Sequence, residues 1–128
     1  MDIAGFDAQV AEYFEQFAVP FTLARSGNEL GSHFPRDGVV LIHACWSGYS
    51  IQNMFRILQT IQVKGAPFPT VLIADIDGLK PEEMTSLMGS PAQGHAEGVI
   101  FRNGLKVAAH TRSHELEPFL ATLAEIKW

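Results

Sequence analysis

Apolar residues recur along the chain in two periods, and the changes between them mark out the elements. From Asp7, Val10, Phe14 and Phe17 fall at helical spacing with Glu12 and Gln16 between them, which predicts an amphipathic helix closed by Pro20. Phe21 and Leu23 then alternate with Thr22 as a short strand, and a loop or brief helix covers Asn28 to Phe34. "GVVLIHAC", Gly38 to Cys45, is nearly continuous and β-branched, as in a central strand buried on both faces of a parallel sheet. Beyond Ser50, the residues Ile51, Met54, Phe55, Leu58 and Ile61 draw the stripe of a helix about three turns long that stops near Gly65.

The second half continues the alternation. "TVLIADID", Thr70 to Asp77, is a second buried strand, and "PEEMTSLMG" opens on proline and two acids and closes on glycine, as a short helix does. "EGVIF" and "LKVAAHT" are two strands joined through Arg102, Asn103 and Gly104, where Asn-Gly supplies the positive φ angles of a tight hairpin. The last helix is expected from Ser113 as N-cap, with Glu115 and Glu117 in its first turn and Leu116, Phe119, Leu120 and Leu123 buried; Pro118 falls late for a first turn under that start. A strand, helix, strand crossover followed by a helix and a hairpin makes an α/β domain: a mixed sheet of four to five strands flanked by helices.

At 128 residues the chain fits one domain, with residues 1–19 as an added N-terminal helix and residues 20–128 as the core. Apolar residues are 47% and charged residues 18%, a globular balance rather than a disordered one. A net charge of -5 without a cluster of Lys or Arg argues against nucleic acid or an anionic membrane as partner and permits a basic protein. The start "MDIAGFD" has no secretory pattern, and the longest strongly apolar run, Val39 to Cys45, is far short of the ~20 residues that span a bilayer. A single cysteine, Cys45, cannot close an internal disulfide and points to a reducing compartment. The expectation is a soluble, cytoplasmic protein.

Together, the order of elements, "VVLIHACWSGYSIQNMFRIL" and "FRNG" resemble the thioredoxin family: a buried strand, Trp-Cys-Gly-Pro-Cys, a long helix, and a later Phe-Lys-Asn-Gly hairpin. The resemblance covers roughly residues 21 to 126. It implies a thioredoxin-like fold, and it places the family's attacking cysteine on Ser47, the resolving cysteine on Ser50 and the intervening proline on Tyr49. The family's buried aspartate falls on Leu41, its lysine partner on Ile73, and its cis-proline on Ala96 or a neighbour. Thiol–disulfide exchange requires a thiolate, and a serine hydroxyl forms no disulfide. The expected function is therefore non-catalytic: a protein-binding domain acting as adaptor, assembly chaperone or inhibitor, such as an immunity protein. Recognition is expected through Trp46, Gly48, Tyr49 and the loop His95, Ala96 and Glu97.

Other chemistry weighs less. Ser47 between a strand and a helix lacks the Gly-x-Ser-x-Gly frame of a hydrolase, and Ser47 or Ser50 as helix N-cap needs no further role. Cys45 reads as an inert core thiol; the rival reading makes it the nucleophile of a monothiol enzyme or a redox sensor. His33, His43, His95, His110 and His114 show no ligand pair within one helix, so no metal or cofactor is expected, and His43 reads as a hydrogen-bonded core residue. Met54, Met84 and Met88 read as core.

Overall fold

The computed structural model describes residues 5–128 apart from the side chain of Ser113. Residues 1–4 of the "MDIAGFD" start and the capping role expected of Ser113 lie outside the described residues. Helix α1 (Gly5–Phe17) buries Phe6, Val10, Tyr13 and Phe17. This corrects the expected stripe at Phe14, which is 56% exposed and lays its ring edge-on to Phe21. Two aromatics one residue apart, Tyr13 and Phe14, cannot share a helix face, and Tyr13 takes the inner place because its ring meets both His43 and Phe55.

Strand β1 (Thr22–Ala24) leads to the short α2 (Gly27–Ser32), whose cap Ser26 accepts from Glu29 N. Strand β2 (Gly38–His43) is buried along its whole length, as its unbroken apolar run requires. Helix α3 (Gly48–Lys64) starts three residues before the expected stripe because Ser47 caps it, and its 17 residues end at the cap Gly65. Its buried face is Ser50, Met54, Ile57, Leu58 and Ile61, so Ile57 joins the core while Ile51 and Phe55 are only half-buried.

Strand β3 (Thr70–Asp75) is shorter than its apolar run. The Asp75 carboxylate accepts from Asp77 N at 3.0 Å and turns the tail Ile76–Gly78 into a 3-10 turn, a local bond that competes with the ladder. Helix α4 (Pro81–Met88) follows, with Glu83 folded back onto Lys80 N at 2.8 Å. Strands β4 (Gly98–Arg102) and β5 (Leu105–His110) meet at Asn103 and Gly104, with φ of 55° and 78°. Helix α5 (Leu116–Glu125) begins three residues later than expected, after a 3-10 turn at Ser113–Glu115. That start puts Pro118 in the first turn, where its missing N–H costs nothing. The Glu115 carboxylate gathers Thr111 N at 2.8 Å and Arg112 N at 2.9 Å, and these bonds hold it below the usual glutamate range.

The five strands form one sheet in the order β1-β3-β2-β4-β5. The first three are parallel, and β4 and β5 run antiparallel to their neighbours. Leu41 stands opposite Ile73 on one flank and Gly98 on the other, at the centre of the sheet. Between β4 and β5 the register slips: Ile100 faces Ala108 and Phe101 faces Lys106, so Val107 bulges out with no opposite residue. One side of the sheet packs against α1, α3 and α5 through Leu41, Ile57, Leu58, Ile73 and Phe119. The other packs against α2 and α4 through Val40, Ile42, Leu72, Leu30 and Leu87. Full burial of each such aliphatic side chain contributes about 1.5–3 kcal/mol.

Candidate functional site

The candidate site lies where β2 ends and α3 begins, beside the loop that enters β4. Ser47 has extended φ and ψ, and its Oγ accepts from Ser50 N at 3.4 Å, which makes Ser47 the N-cap. The same hydroxyl donates to Gly94 O at 2.6 Å and ties the helix start to the loop. The loop comes this close only because residue 94 is glycine. Its φ is +91°, and a Cβ there would stand 3.1 Å from the Trp46 ring and 3.2 Å from Ser47 Cβ.

Ser50 has another role. Its side chain is buried, 2.8 Å from His43 Nδ1 and 3.0 Å from Ala44 N. Gln9 of α1 fixes the direction of these bonds: its amide nitrogen donates to Cys45 O at 2.9 Å, so its oxygen, 2.6 Å from His43 Nε2, accepts. The imidazole proton therefore sits on Nε2, and Nδ1 accepts from the Ser50 hydroxyl. Burial lowers the His43 pKa to about 4, so the ring is neutral at pH 7. Tyr13 closes the group edge-on to the ring at 5.5 Å, and burial drives its hydroxyl pKa well above the ordinary value. In connectivity this is a serine, histidine and amide relay. Ser50 and His43 have no solvent-accessible surface, so no substrate reaches the hydroxyl, and the relay clamps α1, β2 and α3 together. The sequence marks neither Gln9 nor Tyr13 as a polar partner of His43; the one local signal is that Gln9 adjoins Val10 and that Tyr13 follows it by three residues on the buried face of α1.

Cys45 is 5% exposed beneath the start of α1, where a Cβ on Gly5 would lie 3.6 Å from its Sγ. Burial, then the carboxylates of Asp75 and Asp77, push its thiol pKa up, which disfavours the thiolate. Leu41 and Ile73, the positions matched to the aspartate and lysine, are register partners in the core with no exposure.

Around Ser47 the surface is aromatic. Trp46 is 46% exposed with Nε1 donating to Asp77 Oδ1 at 3.2 Å, and Tyr49 is 66% exposed with its ring 5.4 Å from that of His95. Gly48 is exposed, and His95 is half-buried with its carbonyl accepting from Asn53 Nδ2 at 2.9 Å and from His110 Nε2 at 3.1 Å. Ala96 and Glu97, expected as contact residues, are buried instead. Ala96 takes a positive φ of 58°, and the Glu97 carboxylate turns inward to accept from Gln93 N at 2.5 Å and His95 N at 3.1 Å. A loop that must satisfy its own buried N–H groups cannot also present that carboxylate outward. The accessible face is Trp46, Gly48, Tyr49 and His95. Among the described residues no three His, Cys, Asp or Glu side chains are grouped to hold a metal, and no helix is long and apolar enough to cross a membrane.

No family model matches the sequence, and no curated protein matches it. Solved structures do match in shape. A thioredoxin from Malassezia sympodialis (Mala s 13) aligns with a TM-score of 0.55 at 18% identity, over 83% of this chain and 92% of that one. Oxidised thioredoxin from Plasmodium falciparum aligns at 0.54 and 16% identity, over 82% of this chain and 99% of that one. At that identity the likeness concerns the fold alone: the chain has a thioredoxin-like α/β fold, with α1 as an additional N-terminal helix.

Proposed function

We propose that this domain works by binding another protein and carries out no dithiol chemistry. One observation carries the reading: both hydroxyls at the start of α3 are spent on internal hydrogen bonds, while Trp46 and Tyr49, before and after Ser47 in the chain, stand exposed. Exposed aromatics on a rigid helix start anchor partners at small entropic cost. The domain thus serves as an adaptor, assembly chaperone or inhibitor, an immunity protein being one such inhibitor. A net charge of -5 and the Asp77 carboxylate beside Trp46 favour a partner that brings basic side chains.

Two measurements test this. With insulin and dithiothreitol, the purified chain should add nothing to the rate of disulfide reduction by the reagent alone; a rate above that background sinks the proposal. A photo-crosslinking residue at position 49 should give discrete adducts in the source cell, lost with Trp46→Ala and kept with Cys45→Ser. Loss of function in Cys45→Ser with the adducts unchanged would move the assignment to a monothiol enzyme or redox sensor.

A further inference from the structure

On the side of the sheet away from α1, the helices α2 and α4 and the β4–β5 hairpin enclose a groove of about 430 Å³, within the size range of small-molecule sites. Leu30, Leu87 and Phe101 form its buried base. Phe34 is 42% exposed and stands as a wall, its ring edge-on to Phe101 at 4.9 Å. Two charged side chains border the groove and differ in availability. Glu83 keeps its negative charge but is held at the Gly27 end of the groove, with Oε1 accepting from Lys80 N at 2.8 Å. Lys106, the register partner of Phe101, forms no ion pair among the described residues. The groove therefore offers an apolar bed with a carboxylate at its Gly27 end and, on the β5 side, a cation in no ion pair among the described residues.

Gly31 of α2 also lines this space, and nothing lies within 4 Å of where its Cβ would be. Glycine weakens a helix relative to alanine, and here no close packing demands it. By contrast, a Cβ on Gly27, one turn earlier, would collide with the Glu83 carboxylate. The bare flank at Gly31 leaves the groove open.

We propose that this groove binds an aliphatic carboxylate, with its chain along Leu30, Phe34 and Leu87 and its head group on the Lys106 ammonium. Burial of methylene groups supplies the attraction, and the cation selects the sign of the head group. Decanoate below its micelle range is the probe, titrated into the whole chain and followed by amide chemical shifts. Shifts should be confined to residues 30–34 and the neighbours of Leu87, Phe101 and Lys106. Decylamine, with the same chain and the opposite charge, should bind about tenfold more weakly, and Lys106→Gln should weaken decanoate by a similar factor. Gly31→Leu fills the groove and should abolish binding while keeping the thermal midpoint at or above that of the parent. Any of three results overturns the proposal: equal affinity for decylamine, unchanged affinity in Lys106→Gln, or shifts that map elsewhere. Concentration-dependent broadening of the same residues without decanoate would overturn it too, by assigning the groove to a second copy of the chain.

Discussion

The two sides of the sheet solve the burial problem differently. Under α1, α3 and α5 the centre of the core is sealed: Met54, Ile57, Leu58 and Ile61 have no exposed surface, and His43 and Ser50 are enclosed there with both ring nitrogens and the hydroxyl matched. Under α2 and α4 the helices are short, and Met84, Leu87 and Met88 keep 6–7% exposure beside an open groove. Around His43 the buried polar groups form a complete hydrogen-bond set, whereas buried His110, against Phe119 on the same side, leaves its Nδ1 without a partner among the described residues. An open side has slack, so the same substitution should cost less there.

The largest expected contrast is a pair of truncations. Phe119→Ala on the sealed side should cost about 3–5 kcal/mol, whereas Leu87→Ala should cost about 2 kcal/mol, at the lower end of its class, because the open groove lets the site relax. Urea denaturation of both variants reads the difference, and equal losses would erase the distinction. Acid comes next. Folding lowers the His43 pKa to about 4 from an ordinary value of 6.5, so the neutral ring is the form that folding favours. This contribution is complete above pH 6.5 and is lost as the pH falls toward 4, on the order of 3 kcal/mol in all. Denaturation midpoints taken across that range should fall in the parent and stay flatter in His43→Gln. Ser47→Ala removes a cap and the bond to Gly94, and should cost about 1 kcal/mol in the same assay. Smallest is Gly31→Ala, on the open side, which should gain up to about 1 kcal/mol because the added methyl meets no atom and the helix prefers it.

Much of this architecture can be read in the chain before any coordinates. The β-branched run from Val39 and the Asn103-Gly104 pair are local signals, and both the central strand and the hairpin lie where those signals put them. The errors fall where a local pattern competes with something distant or with a side chain's own bond. Phe14 fits the helical period as well as Tyr13 does, and only Phe55 and His43, far along the chain, decide between them. Asp75 ends its strand early by capping the turn that follows. For the site, Ser47 as cap follows from residue type and position. The link from Gln9 through His43 to Ser50 does not, since Gln9 and His43 are 34 residues apart and no spacing rule joins them. Glu97 looks like a surface acid in a loop until its carboxylate is found satisfying that loop's own backbone.

The bulge at Val107 has a consequence for how molecules of this protein meet in concentrated solution. An outer strand bearing Leu105 at 70% and Val107 at 47% exposure would otherwise be a template for another chain to add to, repeating into a stack. The slipped register breaks the even row of outward N–H and C=O groups, and Lys106 within it adds repulsion between like edges. The interrupted row therefore disfavours the addition of another chain along β5.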